Sequence, residues 1–203
     1  MKRALVILLG CLTLSVAGLA FAGDNQQAGI ALHVTELVTQ LPCDNAPAVT
    51  SATVQTQADL FTPYGVWVLV CNGSDSLGVA GVEFALDFEG TPSAGVDIYD
   101  WNLCADLQFP QGGGTWYATP GNGNVVTWDG IVNCQDQVSE PFVPRTVVAI
   151  AGQLYVYAYS PDILAVVPRL SQAGSFAKVA DCNGAEDDLT NLVPSRLGFA
   201  EFG

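Results

Sequence analysis

Segment 78–90, Gly-Val-Ala-Gly-Val-Glu-Phe-Ala-Leu-Asp-Phe-Glu-Gly, carries acidic residues at alternate positions of an otherwise apolar stretch. Side chains of a strand point alternately to its two faces, so the polar face carries Glu83, Ala85, Asp87 and Glu89. Residues two apart on a strand are separated by roughly 6.5–7 Å, which is a spacing found in glycosidase carboxylate pairs. Asp87 and Glu89 are therefore candidates for the hydrolysis of a glycosidic bond.

A calcium-binding edge and a solvated strand face are the alternatives for these acids. The Glu-x-Asp-x-Glu strand of jelly-roll glycanases is similar to this segment, but Ala85 stands two residues after Glu83 where that pattern has an acid. Antiparallel sheets commonly have one face in the core and the other in water. We favour the solvated face, and a jelly-roll carbohydrate hydrolase is the third hypothesis for function.

Oxygen-bearing side chains are concentrated in two segments that could bind calcium. The first is 181–188, whose candidate ligands are Asp181, Asn183, Glu186 and Asp187, and the second is 97–100, which begins and ends with Asp. Calcium binds six to eight hard oxygen atoms, some of them from backbone carbonyls. The acidic spacing differs from that of an EF-hand loop, and Asp and Asn are also common turn residues. A structural calcium ion is therefore a hypothesis, and no other cofactor is predicted.

The single histidine, His33, lies on the polar face of the alternating segment 29–38. A Ser-His-Asp hydrolase would have to use it, but the chain has no Gly-x-Ser-x-Gly motif. One histidine cannot form a His-x-x-x-His metal pair, and no Gly-rich phosphate loop is present. We predict a surface or partly packed histidine, and a protein that is not an enzyme.

Aromatic side chains provide two candidate ligand surfaces. Tyr155, Tyr157 and Tyr159 share one face of a strand, where flat rings could stack on sugars, although packing in the core or on the sheet is the favoured alternative. Trp116 and Tyr117 stand between Gly-rich stretches, and for them exposure and burial both stay open.

The first 22 residues have the pattern of a secretory signal peptide. Lys2 and Arg3 precede an apolar run, and Ala20-Phe21-Ala22 is a small-x-small cleavage site. A lipoprotein attached at Cys11 is a minor alternative, because the apolar stretch before it is short. We predict a bacterial protein that is secreted or held at the cell surface, with residues 23–203 forming one domain.

Charge narrows the range of partners. Residues 23–203 hold four basic and 20 acidic side chains, a net charge of −16. Nucleic acid needs a basic footprint, so it is excluded as a partner. Binding to an anionic membrane is disfavoured for the same reason, and no membrane insertion is predicted after signal removal.

Five cysteines remain in residues 23–203, and an oxidising compartment should pair most of them. Because the number is odd, at least one is unpaired or bonded to another chain. The simplest pairing joins Cys104 to Cys134, with Cys71 joined to Cys182 or Cys43. No zinc, haem or redox cysteine motif is present.

Short β-rich segments separated by Gly, Pro and Asn run along the whole chain. They occupy 29–38, 65–71, 79–88, 101–109, 115–119, 125–128, 146–151, 153–160, 163–168, 176–180 and 197–202. Only 99–102 and 184–191 could hold a helical turn. This spacing predicts an all-β fold, a single antiparallel β-sandwich of jelly-roll or cohesin/Ig-like type with Gly-rich loops and disulfides.

Two resemblances accompany this pattern. The stretch GVAGVEFALDFEG resembles a strand of cohesin-like extracellular sandwich domains. Over most of 30–203, the stretches GVDIYDWNLCADLQFP, TWDGIVNCQ and KVADC resemble a family of secreted bacterial β-sandwich proteins with no assigned activity. Both resemblances imply a fold, and neither implies a particular partner.

Together these features predict a secreted, non-catalytic binding or adhesion module. Its first-choice ligand is a cell-surface or matrix glycan, and a cell-surface protein is a further candidate. The leading alternative is a structural subunit that self-assembles through its edge strands.

Overall fold

The alternating segments form strands that pack as two sheets in a computed structural model, which describes residues 23–50, 53–140 and 146–203. In chain order the strands are β1 (Gly29–Glu36), β2 (Gln57–Ala58), β3 (Pro63–Gly73), β4 (Gly81–Asp87), β5 (Val96–Leu103), β6 (Leu107–Gln108), β7 (Gly123–Thr127), β8 (Val138–Glu140), β9 (Thr146–Ala158), β10 (Asp162–Val167), β11 (Arg169–Ser171), β12 (Gly174–Phe176), β13 (Lys178–Ala180), β14 (Glu186–Asp188) and β15 (Phe199–Phe202). Two short 3-10 turns, Pro42–Asn45 and Trp116–Ala118, complete the described elements.

The first sheet has the strand order β1-β3-β9-β5, with β8 also paired to β9. The second sheet has the order β14-β13-β4-β10-β15-β2, with β7 on the other side of β4 and β6 on β7. All these pairs are antiparallel except β15 with β2. The predicted all-β antiparallel sandwich is confirmed.

The core lies between the two sheets, as the alternation of apolar residues predicts. Inward-facing side chains of β3, β4, β9 and β10 belong to one buried cluster that includes Val68, Phe84, Leu86, Val156 and Leu164. The apolar face predicted for segment 78–90 is therefore the core face of β4.

Strand β3 is buried on both faces. Trp67 and Leu69 point away from the main core and pack with Val49 in a second small cluster on the outer side of the first sheet. Val49 belongs to the chain between β1 and β3, which crosses over this face. Burial on both faces explains why β3 contains the uninterrupted apolar run 66–70.

Strand β9 continues through Gly152, where the sequence predicts a break between the strands 146–151 and 153–160. A Cβ atom built on Gly152 would lie 2.5 Å from the Trp101 ring and 2.4 Å from the Asn102 carbonyl oxygen. Glycine is needed there because Trp101 of β5 crosses directly over the backbone. At the position of the predicted break, the structure therefore has one continuous strand whose glycine makes room for the Trp101 ring.

Two disulfides join Cys43 to Cys104 and Cys134 to Cys182. The predicted Cys104–Cys134 bond is wrong, because Cys104 directly follows β5 beside the chain that covers the first sheet, whereas Cys134 lies against the turn after β13. Pairing of Cys71 with Cys182 or Cys43 is wrong as well, since both are bonded elsewhere. Helical turns are also absent from 99–102, which lies in β5, and from 184–191, which contains β14.

The predicted signal peptide, residues 1–22, lies outside the described residues. The single-domain assignment of 23–203 stays a prediction. Over the described ranges, no helix has the length and apolarity needed to cross a membrane.

Candidate functional site

The outer face of β9 carries the predicted row of Tyr155, Tyr157 and Tyr159. Leu154, Val156 and Ala158 are fully buried in the core, so the alternating tyrosines face outward and are half-buried. The three tyrosines therefore pack on the outer face of the sheet and not in the core.

A fourth tyrosine joins this row through a bulge in the edge strand β5. Ile98 pairs with Val156 and Asp100 pairs with Tyr155, so Tyr99 is an extra residue on β5. A bulge redirects side chains and increases the local twist. As a result Ile98 and Trp101 both reach the core, while the Tyr99 side chain is 48% exposed.

The four residues Tyr99, Tyr155, Tyr157 and Tyr159 are called the tyrosine cluster below. The ring centroids of Tyr99 and Tyr155 are 5.3 Å apart, and those of Tyr157 and Tyr159 are 4.7 Å apart. The hydroxyl groups of Tyr99 and Tyr159 are hydrogen-bonded at 2.7 Å. This bond, followed by burial and nearby charge, raises the pKa of Tyr99 well above its ordinary value, so Tyr99 presents a neutral hydroxyl at physiological pH.

Carboxylates lie at the edge of the tyrosine cluster. Asp97 accepts a hydrogen bond from the Ser93 backbone N–H at 3.1 Å and another from the Tyr99 hydroxyl at 3.4 Å. Asp100, the neighbour of Tyr99 in the bulge, is exposed. The site therefore combines flat aromatic faces with hydrogen-bond acceptors, which suits a neutral, hydroxyl-rich ligand and disfavours an anionic one.

Trp116 does not reach the surface. Its side chain is 1% exposed, and its ring packs edge-on against Phe84 at 5.6 Å and Trp101 at 5.5 Å. The proposal that Trp116 binds ligand is therefore corrected: the Gly-rich loops fold its ring into the core. Tyr117 is half-buried against that core, and burial together with the Asp100 charge raises its pKa.

The acidic face of β4 is only partly solvated. Glu83 forms a 2.8 Å ion pair with Arg169 of β11, which lies across this face, and Ala85 is fully buried. Asp87 and Glu89 are exposed, as a solvated face requires. Because both carboxylates are exposed, neither is enclosed in the way that an active-site cleft encloses its reactive groups.

The predicted calcium ligands lie in one hairpin, but their carboxylates are used elsewhere. Asp181 accepts hydrogen bonds from the backbone of Asn183 and Ala185 at 2.9 and 3.0 Å, which closes the β13–β14 turn. Glu186 pairs with Lys178 at 2.8 Å, and Asp187 points to the opposite face. Within the described residues, no group of three or more His, Cys, Asp or Glu side chains is arranged to hold a metal ion. The calcium site stays an untested prediction.

His33 is more deeply placed than its polar strand face suggests. Its side chain is 6% exposed, because the chain near Gln55 covers it, and its Nδ1 accepts the Gln55 backbone N–H at 3.0 Å. Burial lowers the pKa of His33 below its ordinary value of 6.5. Protonation of Nδ1 would also break this hydrogen bond.

Substituting His33→Asn should reduce the loss of stability in mild acid. In the wild type the unfolded chain binds a proton near pH 6.5 and the folded chain does so only at lower pH, so the free energy of unfolding falls as pH drops below about 6.5. Asn keeps an acceptor near the Nδ1 position and does not titrate. Urea unfolding at about pH 7.5 and about pH 5.5 tests this, and an equal loss in both proteins would contradict a buried neutral imidazole.

Comparison with known proteins finds weak structural similarity to cohesins and no closer relationship. No family model matches the sequence, and no curated protein matches it. The sixth cohesin of scaffoldin B from Acetivibrio cellulolyticus, solved with a dockerin, has a TM-score of 0.47 and 8% identity, covering 86% of this chain and 99% of that chain.

Two further cohesins are similar to the same extent. One belongs to a type I cohesin–dockerin complex from Clostridium thermocellum, with a TM-score of 0.46, 11% identity and coverage of 86% and 99%. The other is a module of a family 33 glycoside hydrolase from Clostridium perfringens, with a TM-score of 0.44, 9% identity and coverage of 86% and 96%. The predicted weak resemblance to cohesin-like sandwiches is confirmed, and it concerns the fold alone.

Proposed function

We propose that this protein is an extracellular binding module that holds a neutral polysaccharide against the tyrosine cluster and does not catalyse a reaction. The observation that carries this proposal is the aromatic surface on the first sheet, formed by three half-buried tyrosines and by Tyr99, which the β5 bulge turns outward. Aromatic side chains usually bury most of their area, so rings gathered at a surface suggest a binding role. Their flat faces match the apolar faces of pyranose rings.

Charge and compartment support the same proposal. An excess of acidic side chains disfavours anionic glycans, whereas Asp97 and Asp100 can accept hydrogen bonds from sugar hydroxyls. The two disulfides are typical of a protein that works in an oxidising compartment outside the cytoplasm.

The variant Tyr99→Ala should weaken polysaccharide binding about 5- to 30-fold, the range expected when a central aromatic contact is lost. Purified 23–203 would be sedimented with insoluble cellulose, chitin or xylan, with calcium or with a chelator, and the bound fraction measured. Phe199→Ala is the matched control, because Phe199 is 50% exposed on the outer face of the second sheet and Tyr99 is 48% exposed on the first.

Equal loss of binding in the Phe199→Ala control would contradict the tyrosine cluster as the binding surface. Failure of all three polysaccharides to retain the wild type would remove these glycans as ligands and leave a cell-surface protein as the alternative. Released soluble sugar, abolished by Asp87→Asn, would favour the hydrolase instead.

The edge strands give little support to the alternative that the protein is a self-assembling structural subunit. A flat exposed edge favours strand addition, and bulges or short strands oppose it. Strand β5 is bulged at Tyr99, and β14 and β2 have only three and two residues. The eight-residue edge strand β1 is partly covered, because its backbone is hydrogen-bonded to the chain at Gln55, Arg196 and Gly198. Self-assembly stays a prediction that the mass of the purified protein in solution would test.

A further inference from the structure

Asn25, near the start of the described residues, is hydrogen-bonded into the sandwich through both its backbone and its side chain. Asn25 is fully buried, and its backbone N–H donates to Asp187 at 2.8 Å. Its side-chain amide donates to the Gly78 carbonyl at 2.9 Å and accepts from the Ser74 N–H at 2.8 Å. The chain that follows position 22 is therefore part of the packed structure.

Gly23 also packs directly against the Asp187 carboxylate. A Cβ atom at this position would lie 2.5 Å from Asp187 Oδ2, and hydrogen bonding from the Gly23 backbone acts to lower the pKa of Asp187. A residue with a side chain would displace the carboxylate. Glycine at position 23 therefore allows the backbone nitrogen to reach Asp187.

The carboxylate of Asp187 is buried, and among the described residues no basic side chain is paired with it. Asp187 is 7% exposed, and burial raises its pKa, while the charges of Asp181 and Asp24 act in the same direction. The two backbone N–H donors oppose this shift only partly. The basic side chains of the described residues contact other groups: Arg169 contacts Glu83, Lys178 contacts Glu186, and Arg196 contacts Gln26 and Gln27.

A buried carboxylate is costly unless a positive charge or several hydrogen bonds compensate it. The sequence places a small-x-small cleavage site directly before Gly23. Hydrolysis of the 22–23 peptide bond by a signal peptidase consumes one water molecule. The leaving peptide ends in the Ala22 carboxylate, and the Gly23 nitrogen becomes an amine that takes up a proton at neutral pH.

We propose that the α-ammonium group released at Gly23 by this cleavage forms an ion pair with Asp187 and thereby completes the fold of the mature protein. The nitrogen atom that donates one neutral hydrogen bond in the uncleaved chain becomes a charged donor at the same place. Removal of the leader is then a stabilising step, and it is independent of any glycan binding.

The test compares two forms of the protein, one beginning at Gly23 and the other carrying one additional alanine before Gly23. Both keep the Gly23 nitrogen in place, but only the first has a charge there. The Gly23 form should melt about 4–10 °C higher, as expected for a buried pair in a chain of this size. In the Asp187→Asn background this difference should fall to about 1 °C or less.

A second readout does not depend on the stability of the Asp187 variant. The α-amine of the Gly23 form should react with an acylating reagent at about pH 7 at least tenfold more slowly than that of the form with the additional alanine. Equal reactivity would overturn the proposal. Equal melting of the two forms, or a secreted protein whose mass places its N-terminus elsewhere, would also overturn it.

Discussion

Replacing Trp116 by alanine is expected to lower the free energy of unfolding by about 3–5 kcal/mol, the range for deleting a large buried aromatic side chain. The ring is 1% exposed and lies between Phe84 and Trp101, the first on the second sheet and the other on the first. Its loss would leave a cavity that rigid strands on both sides cannot fill.

Urea unfolding of Trp116→Ala and Trp116→Phe would measure this effect. Phenylalanine retains part of the edge-on packing, so its cost should be smaller. Tyr117→Ala is the matched control, because it is the adjacent residue in the same 3-10 turn and is only half-buried. A cost for Trp116→Ala no larger than that for Tyr117→Ala would contradict the placement of the indole in the core.

Removing the Cys134–Cys182 disulfide with a double alanine substitution should cost about 2–5 kcal/mol. The bond closes a loop with a sequence separation of 48 and ties the chain after β7 to the β13–β14 turn. Gly78 packs directly on it, since a Cβ there would lie 2.5 Å from the Cys134 sulfur. Cross-linking restricts the unfolded chain, so the unfolding midpoint in urea should fall.

The Cys43–Cys104 bond provides an internal comparison. Its sequence separation of 61 gives a similar entropic contribution, about 4 kcal/mol in the loop-closure description. However, it anchors the segment that covers Trp67, so its removal should also shift tryptophan fluorescence toward that of an exposed indole. An identical spectrum in both double variants would contradict this covering role.

Alternation in the sequence was sufficient to predict the two-sheet sandwich. Val82, Phe84 and Leu86 face the core as their spacing requires, and the same holds for Leu154, Val156 and Ala158. These residues follow a local rule, because each strand must bury one face whatever its neighbours are.

The sequence did not predict the outward position of Tyr99, because strict alternation places its side chain on the same face as that of Trp101. The bulge that separates them depends on pairing with β9, which is distant in the sequence. A local signal did exist: Ile98 and Trp101 are apolar and three residues apart, which breaks a period of two. The disulfides and the burial of Trp116 likewise depend on which distant segments meet, and sequence spacing does not contain that information.

The double burial of β3 has a consequence for how the chain folds. Strand β3 pairs with β1, which is near in sequence, and with β9, through distant pairs such as Pro63 with Tyr157 and Gly73 with Val147. Pairing over such distances is slow because the loop must close before any contact forms. A β1–β3 pair that forms early exposes the apolar run 66–70 along an open edge, and this run is prone to aggregate until β9 pairs with it.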